Sequence, residues 1–201
     1  MSSTDDLHEE HAEVLRMVRI LEALRPLIAQ GEALPLEDWT DILGFLRVFV
    51  DRCHHGKEEE VLFPAMLPVA DQETRALIQQ LLDEHEQGRR LVASLASATG
   101  VEHVAAAGSP EEREFDADSA AEAIDGYVAL LRPHVVNEER HLFPAADEIL
   151  APEVQMKVQE DFDRIEEEVI GPGQHEALEL TVERLTDLYL SEEGHTHGFY
   201  G

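Results

Sequence analysis

The stretch HHGKEEEVLFPA, residues 54–65, returns further along the chain as HVVNEERHLFPA, residues 134–145. Seven of the twelve positions agree, among them the leading His, two Glu and the closing Leu-Phe-Pro-Ala. The segments ahead of them also align, LHEEHAEVLRMV (residues 7–18) with LLDEHEQGRRLV (residues 81–92), which pairs His11 with His85. Repetition on this scale means two copies of one supersecondary unit. Each copy contributes one His from its first segment and a His-x-x-x-Glu from its second.

Hydrophobic spacing makes that unit a helical hairpin. Leu7, His11, Val14, Val18 and Leu21 follow steps of four and three, one face of a helix, with Ser2 or Thr4 as its cap and Pro26 as its limit. A second helix begins around Glu37 and carries Leu46, Val50, His54, Glu58 and Val61 on one face until Phe63-Pro64 stops it. Asp71 caps a third, through Leu81, His85, Gly88, Val92 and Leu95 to Thr99-Gly100. From about Asp116 a fourth places Ala120, Ile124, Tyr127, Leu131, His134, Glu138 and His141 on one seam, with Pro133 expected to kink it and Phe143-Pro144 to end it. Residues 101–115 read as a surface loop.

No segment alternates with a period of two, so the predicted class is all-α: an antiparallel four-helix bundle of two repeated hairpins over residues 1–150. A C-terminal helical extension, broken at Gly171-Pro172-Gly173, covers residues 151–193, and residues 194–201 form a flexible tail.

Composition bounds the partners. Asp and Glu outnumber Lys and Arg by 44 to 15, a net charge of −29, so the surface field repels nucleic acid and anionic membrane faces. The start lacks the features of a signal peptide and no apolar run reaches the roughly 20 residues of a membrane span, which leaves a cytoplasmic location as the expectation. One cysteine, Cys53, rules out a disulfide framework or a Cys-rich metal site and reads as core filler.

Eleven His in so acidic a chain decide the chemistry. Residues four apart on a helix share a face, so His54 with Glu58, and His134 with Glu138, converge on one cavity. Burying these residues with His11 and His85 is costly unless they are paired or metal-bound. Four imidazoles and two carboxylates exceed one tetrahedral zinc; mixed N/O ligation suits redox iron, two ions of which the carboxylates can bridge, and manganese shares that ligand chemistry. A ferritin-like site requires two Glu-x-x-His motifs on partner helices, and only Glu138-x-x-His141 qualifies.

The order His, His-x-x-x-Glu, His, His-x-x-x-Glu, with its Glu-Glu-x-x-Leu-Phe-Pro continuation, resembles the hemerythrin-like (HHE) domain over about residues 4–150. That resemblance implies a bundle with two irons near its axis, held by His11, His54, Glu58, His85, His134 and Glu138, with Glu58 and Glu138 as bridges. Oxygen-carrying members use a second His one turn after the third-helix His, where this chain has Arg89.

The remaining polar residues have secondary expectations. Glu59 and Glu139 are placed to orient a ligand His. His8 and His141 fall at the rim, His55 lies one step around from the chosen pair, Tyr127 is a core aromatic, and His175, His195 and His197 lie outside the bundle. The functional expectation is a di-iron protein binding dioxygen or nitric oxide at an open iron position, in sensing or stress buffering. The alternatives are an enzyme acting on peroxide, oxygen or nitric oxide, and iron storage, delivery or iron-centre repair. Its partner is a small diatomic or peroxide ligand; the sequence leaves any protein partner open.

Overall fold

The computed structural model describes residues 4–32, 34–101 and 115–191. Among them six helices follow one another, with no strand. Helix α1 is Asp5–Ala29; α2 covers residues 36–66 and α3 is Gln72–Thr99. Helix α4 covers residues 117–149, α5 residues 152–170, and α6 is Gln174–Tyr189. The expected cap at Ser2, most of the expected loop at residues 101–115, and the tail with His195 and His197 lie outside the described residues.

Helix ends follow the local chemistry where a side chain can reach the backbone. Asp71 accepts from the Thr74 amide at 2.8 Å and starts α3, which ends on Gly100 at φ 68°, a left-handed conformation that glycine adopts without strain. Asp116 does the same for α4 through the Ser119 amide at 3.1 Å. Thr4 is different: it precedes α1 but makes no side-chain cap bond to it, and its hydroxyl donates instead to Asp147 on α4.

Three of these prolines depart from expectation. Pro26 lies inside α1, which continues to Ala29, whereas Pro133 lies inside α4 as expected, and α4 keeps its pitch to Asn137. Pro64 and Pro144 stop nothing: α2 continues to Met66 and α4 to Ile149. Just ahead of each, the helix widens to i→i+5 hydrogen bonding, over Glu58–Leu62 in α2 and Glu138–Leu142 in α4. A proline ring clashes with the carbonyl four residues back and lacks the N–H for it; a widened turn removes both demands. The inward register shifts with it. Leu62 rather than Val61 is buried in α2, and Leu142 rather than His141 in α4, where His141 is exposed.

The four longest helices form a ring in which α1 packs on α4, α4 on α3, α3 on α2, and α2 on α1. Two apolar clusters fill it. One contains Val14, Leu21, Leu46, Val50, Val92, Leu95, Ile124 and Leu131, the other Leu7, Leu62, Phe63, Leu81, Leu142 and Phe143. His11, His54, His85 and His134 each fall in sequence between residues of the two clusters, so a polar layer crosses the bundle between two apolar ones.

Helices α5 and α6 cover the face of α1 and α2. Val182 and Leu185 join the larger apolar cluster. At the far end Arg184 reaches Asp38 at 2.9 Å and Asp41 at 2.7 Å, and the Tyr189 hydroxyl donates to Asp38. Nearer the polar layer, the fully buried Lys57 ammonium binds Glu10 of α1 at 2.5 Å and Glu166 of α5, and sits 5.7 Å from the Phe162 ring centroid. Removing one member of such a buried group strands the others. Lys57→Ala is therefore expected to lower the stability of the fold by about 3 kcal/mol, whereas Asp71→Ala, which removes only an exposed cap, lowers it by less; urea unfolding followed by circular dichroism measures both.

Candidate metal centre

Each of the four imidazoles in the polar layer is held the same way. His11 Nδ1 lies 2.6 Å from Glu139 Oε1, His54 Nδ1 2.8 Å from Glu10 Oε2, His85 Nδ1 2.7 Å from Glu59 Oε1, and His134 Nδ1 2.8 Å from Glu84 Oε2. A carboxylate accepts, so each Nδ1 carries a proton and, in the neutral ring, each Nε2 keeps its lone pair. The clamps run in order around the ring, α1 to α2, α2 to α3, α3 to α4 and α4 to α1. An imidazole oriented by a carboxylate on Nδ1 is the arrangement that metal-ligating histidines take.

The four Nε2 atoms meet the two remaining carboxylates. His11 Nε2 is 3.1 Å from Glu138 Oε2 and 3.1 Å from His54 Nε2; His134 Nε2 is 2.9 Å from Glu138 Oε1; His85 Nε2 is 3.4 Å from Glu58 Oε2 and 3.8 Å from Glu138 Oε1. The approaches of His134 and His85 are close in distance but not directed as hydrogen bonds. Both oxygens of Glu58, both of Glu138, and Nε2 of His85 and of His134 are buried with no hydrogen-bond partner among the described residues. Lone pairs facing each other in a dry interior repel unless a positive charge lies between them.

Protons are one source of that charge. Burial by itself would lower the His85 pKa, but Glu138, Glu58 and Glu59 outweigh it and raise it to about 11, and Glu138 and Glu84 raise His134 to about 9. Against burial, Glu138, Glu139 and Glu58 hold His11 above its ordinary value. Glu138 is pushed well down by His134, His11 and His85 against the effect of burial. The layer is thus built for net positive charge on its nitrogen side. A metal cation meets the same demand.

The six residues singled out in the sequence therefore come together, in two groups that share Glu138. His11, His54 and Glu138 form one, and Glu58, His85, His134 and Glu138 the other, with donor atoms in each within 4.8 Å of one another. Each pair of imidazoles comes from one hairpin, and the shared carboxylate crosses between them. Glu58 leans to the second group, because its Oε2 is 4.0 Å from His54 Nε2. The i,i+4 pair on α4 is tighter at 2.9 Å, since residues 134–137 keep the ordinary pitch while α2 is already wide over Phe45–His55.

The orienting carboxylates were half legible. Glu59 and Glu139 follow the bridging Glu in both copies and do hold His85 and His11. Glu10 and Glu84 went unread, although the repeat displays them as the Glu immediately before His11 and His85. Spacing along a single helix does not reveal them, because each clamps a His on a different helix.

A second tier supports these clamps. Arg89 binds Asp51 and Glu59, each at 2.7 Å, so the residue expected merely to lack a ligand braces the carboxylate that orients His85. His8, half-exposed, reaches Glu139 at 2.5 Å and stands edge-on to Phe143. On the opposite side, Glu10, Cys53, Glu166 and His175 cluster beside an acidic cavity of about 430 Å³, and Lys57 supplies the positive charge between Glu10 and Glu166. His54 and Lys57 hold the Glu10 carboxyl at about 2 against burial, and burial with Glu10 pushes the Cys53 thiol up to about 12, which keeps it protonated and inert. His175 belongs to this cluster and not to the six.

A further histidine is inside. His55 is 4% exposed, and its ring stacks on His85 with centroids 3.8 Å apart and planes at 13°. It lines a cavity of about 240 Å³ between α2, α3 and α4, with Leu46, Asp51, Gly88, Arg89 and Tyr127. The spacing argument put it off the inward face because an ordinary helix turns about 100° per residue. A widened helix turns less per residue, so neighbours His54 and His55 both point in.

Residues 2–146 match the family described as hemerythrin HHE cation binding domain. Uncharacterised proteins of Mycobacterium tuberculosis and Mycobacterium bovis are 23% identical over 189 residues, 94% of this chain and 69% of each relative. No solved structure matches. No helix among the described residues is long and apolar enough to cross a membrane.

The clamps make a direct prediction. Glu10→Ala and Glu84→Ala are each expected to lower metal affinity by about 10–100-fold, while Glu73→Ala, exposed at the start of α3, leaves it unchanged; competition against a chelator of known affinity reads the difference.

Proposed function

The chain belongs to the hemerythrin HHE cation-binding family, and from that premise we propose that it holds two iron ions through His11, His54, Glu58, His85, His134 and Glu138 and binds dioxygen or nitric oxide beside them. The observation that carries this reading is the pair of donor groups sharing Glu138, in which carboxylate oxygens and imidazole nitrogens lie buried without hydrogen bonds. Such atoms cost several kcal/mol together unless a cation satisfies them. Nitrogen and oxygen donors in these numbers suit iron better than zinc; manganese would fit the same donors. Bound there, iron would supply one-electron redox chemistry and coordination positions for a small ligand.

The protein's own part is to orient, exclude and admit. Glu139, Glu10, Glu59 and Glu84 fix the imidazole planes before any metal arrives, which reduces the reorganisation that binding costs. The apolar clusters above and below keep bulk water out. The cavity between α2, α3 and α4 has room for a diatomic molecule and is lined by His55, whose ring stacks on His85. Arg89, Asp51 and Glu59 fix one wall of that passage by their ion pairs. A site that is preorganised, dry and reachable supports uptake of a small ligand, for sensing or stress buffering.

One observation favours an enzyme as the second reading. Glu139 touches both the half-exposed His8 and the buried His11, a path along which a proton can pass from solvent to the metal layer. Peroxide turnover that falls in His8→Ala, with iron content intact, would favour that reading over simple binding.

The central claim has a plain assay. Purified protein loaded with ferrous iron without air is expected to hold about two irons per chain, and His54→Ala or Glu138→Ala to hold fewer and to unfold more readily. Stoichiometric zinc with no iron uptake would sink it. Gly88→Leu, whose first side-chain carbon meets only ordinary contacts from Leu130 and Tyr127, extends into the cavity. It is expected to slow reaction of the reduced protein with oxygen or nitric oxide in stopped-flow absorbance without changing iron content.

A further inference from the structure

We propose that His55 is a metal ligand, completing the donor group of Glu58, His85, His134 and Glu138 so that the two metal positions are unequal, three imidazoles against two. This rests on the di-metal reading above and goes beyond its six ligands.

Four observations converge. First, His55 is buried at 4% exposure, yet among the described residues no group hydrogen-bonds to either of its ring nitrogens. A buried imidazole needs a partner for its donor and for its acceptor, so leaving both unmet is costly. Second, its donor atom lies within 4.8 Å of those of His85 and His134, the two imidazoles that also meet Glu58 and Glu138. Third, Nδ1 lies 3.7 Å from Asp51 Oδ1, beyond hydrogen-bonding distance but on the side where every other imidazole of the layer meets its clamping carboxylate. Asp51 is itself fixed at 2.7 Å by Arg89. A small rotation of His55 toward Asp51 would give it the Nδ1 clamp the other four have and leave Nε2 for a metal.

The fourth observation concerns packing. His55 stacks on His85 at 3.8 Å and stands beside His54 and His134, so its ring lies among the imidazoles of the polar layer. Its role is also asymmetric by sequence, because the repeat places Val135 opposite it. The second copy has no counterpart. The site with His11 and His54 keeps two imidazoles.

The test compares wild type with His55→Val, the residue of the other copy, and His55→Gln, which retains size and polarity if the valine variant fails to fold. Ferrous loading without air, iron analysis and Mössbauer spectroscopy are read together, with circular dichroism as the check on folding. Wild type is expected to show two distinct iron environments in equal amount. In a folded variant one environment changes or is lost, and the affinity of one of the two irons falls at least tenfold, while the other keeps its parameters. In His55→Gly, added imidazole entering through the adjoining cavity restores the wild-type spectrum. If the folded variants keep both irons with wild-type parameters and affinities, His55 is no ligand, although the six-ligand reading stands. If wild type takes up no iron, that reading falls and this inference with it.

Discussion

Imidazole nitrogens with nothing to bond to set the terms for this protein. Four histidines have Nδ1 fixed by carboxylates and Nε2 turned toward one another across a dry layer. Lone pairs so placed are tolerable only with positive charge among them. Everything around the layer serves that placement: apolar clusters on both sides seal it, and the ring of α1 to α4 brings the donors within reach. The C-terminal helices close the side of α1 and α2 where Glu10 lies buried.

The net charge of −29 takes on a local meaning in this light. A large share of the acidic side chains is surface, but eight carboxylates, counting the two that meet Nε2, the four clamps, Asp51 and Glu166, are committed to the layer or its supports. Among the described residues Lys57 and Arg89 join them. The balance leaves an electrostatic demand for positive charge in the interior, which protons or a metal cation can meet. Lys57 settles the demand on the α5 side; the polar layer keeps its own.

The fold and the six central residues were legible because the chain states them twice. Capping at Asp71 and Asp116, the left-handed Gly100 and the break at Gly171-Pro172-Gly173 are local events that neighbouring residues determine, and sequence reads such events well. What escaped depends on pitch or on another helix. Reading Pro64 and Pro144 as stops assumed that the helix before them keeps 3.6 residues per turn; the widened turns let both prolines in and moved the buried position from Val61 to Leu62 and from His141 to Leu142. The same change of pitch brought in His55. Glu10 and Glu84 escaped for the second reason, since the histidine each one holds is about fifty residues away in sequence.

The ring of clamps has a consequence for how the centre comes into being. Glu10 and Glu84 act within their own hairpins, on His54 and His134, whereas Glu59 and Glu139 reach across to His85 and His11. A hairpin alone can therefore aim one imidazole of its pair but not the other. The geometry that selects a metal is completed at the moment the two hairpins dock, which makes ion discrimination a property of assembled tertiary structure and leaves each isolated half a loose, unselective chelator.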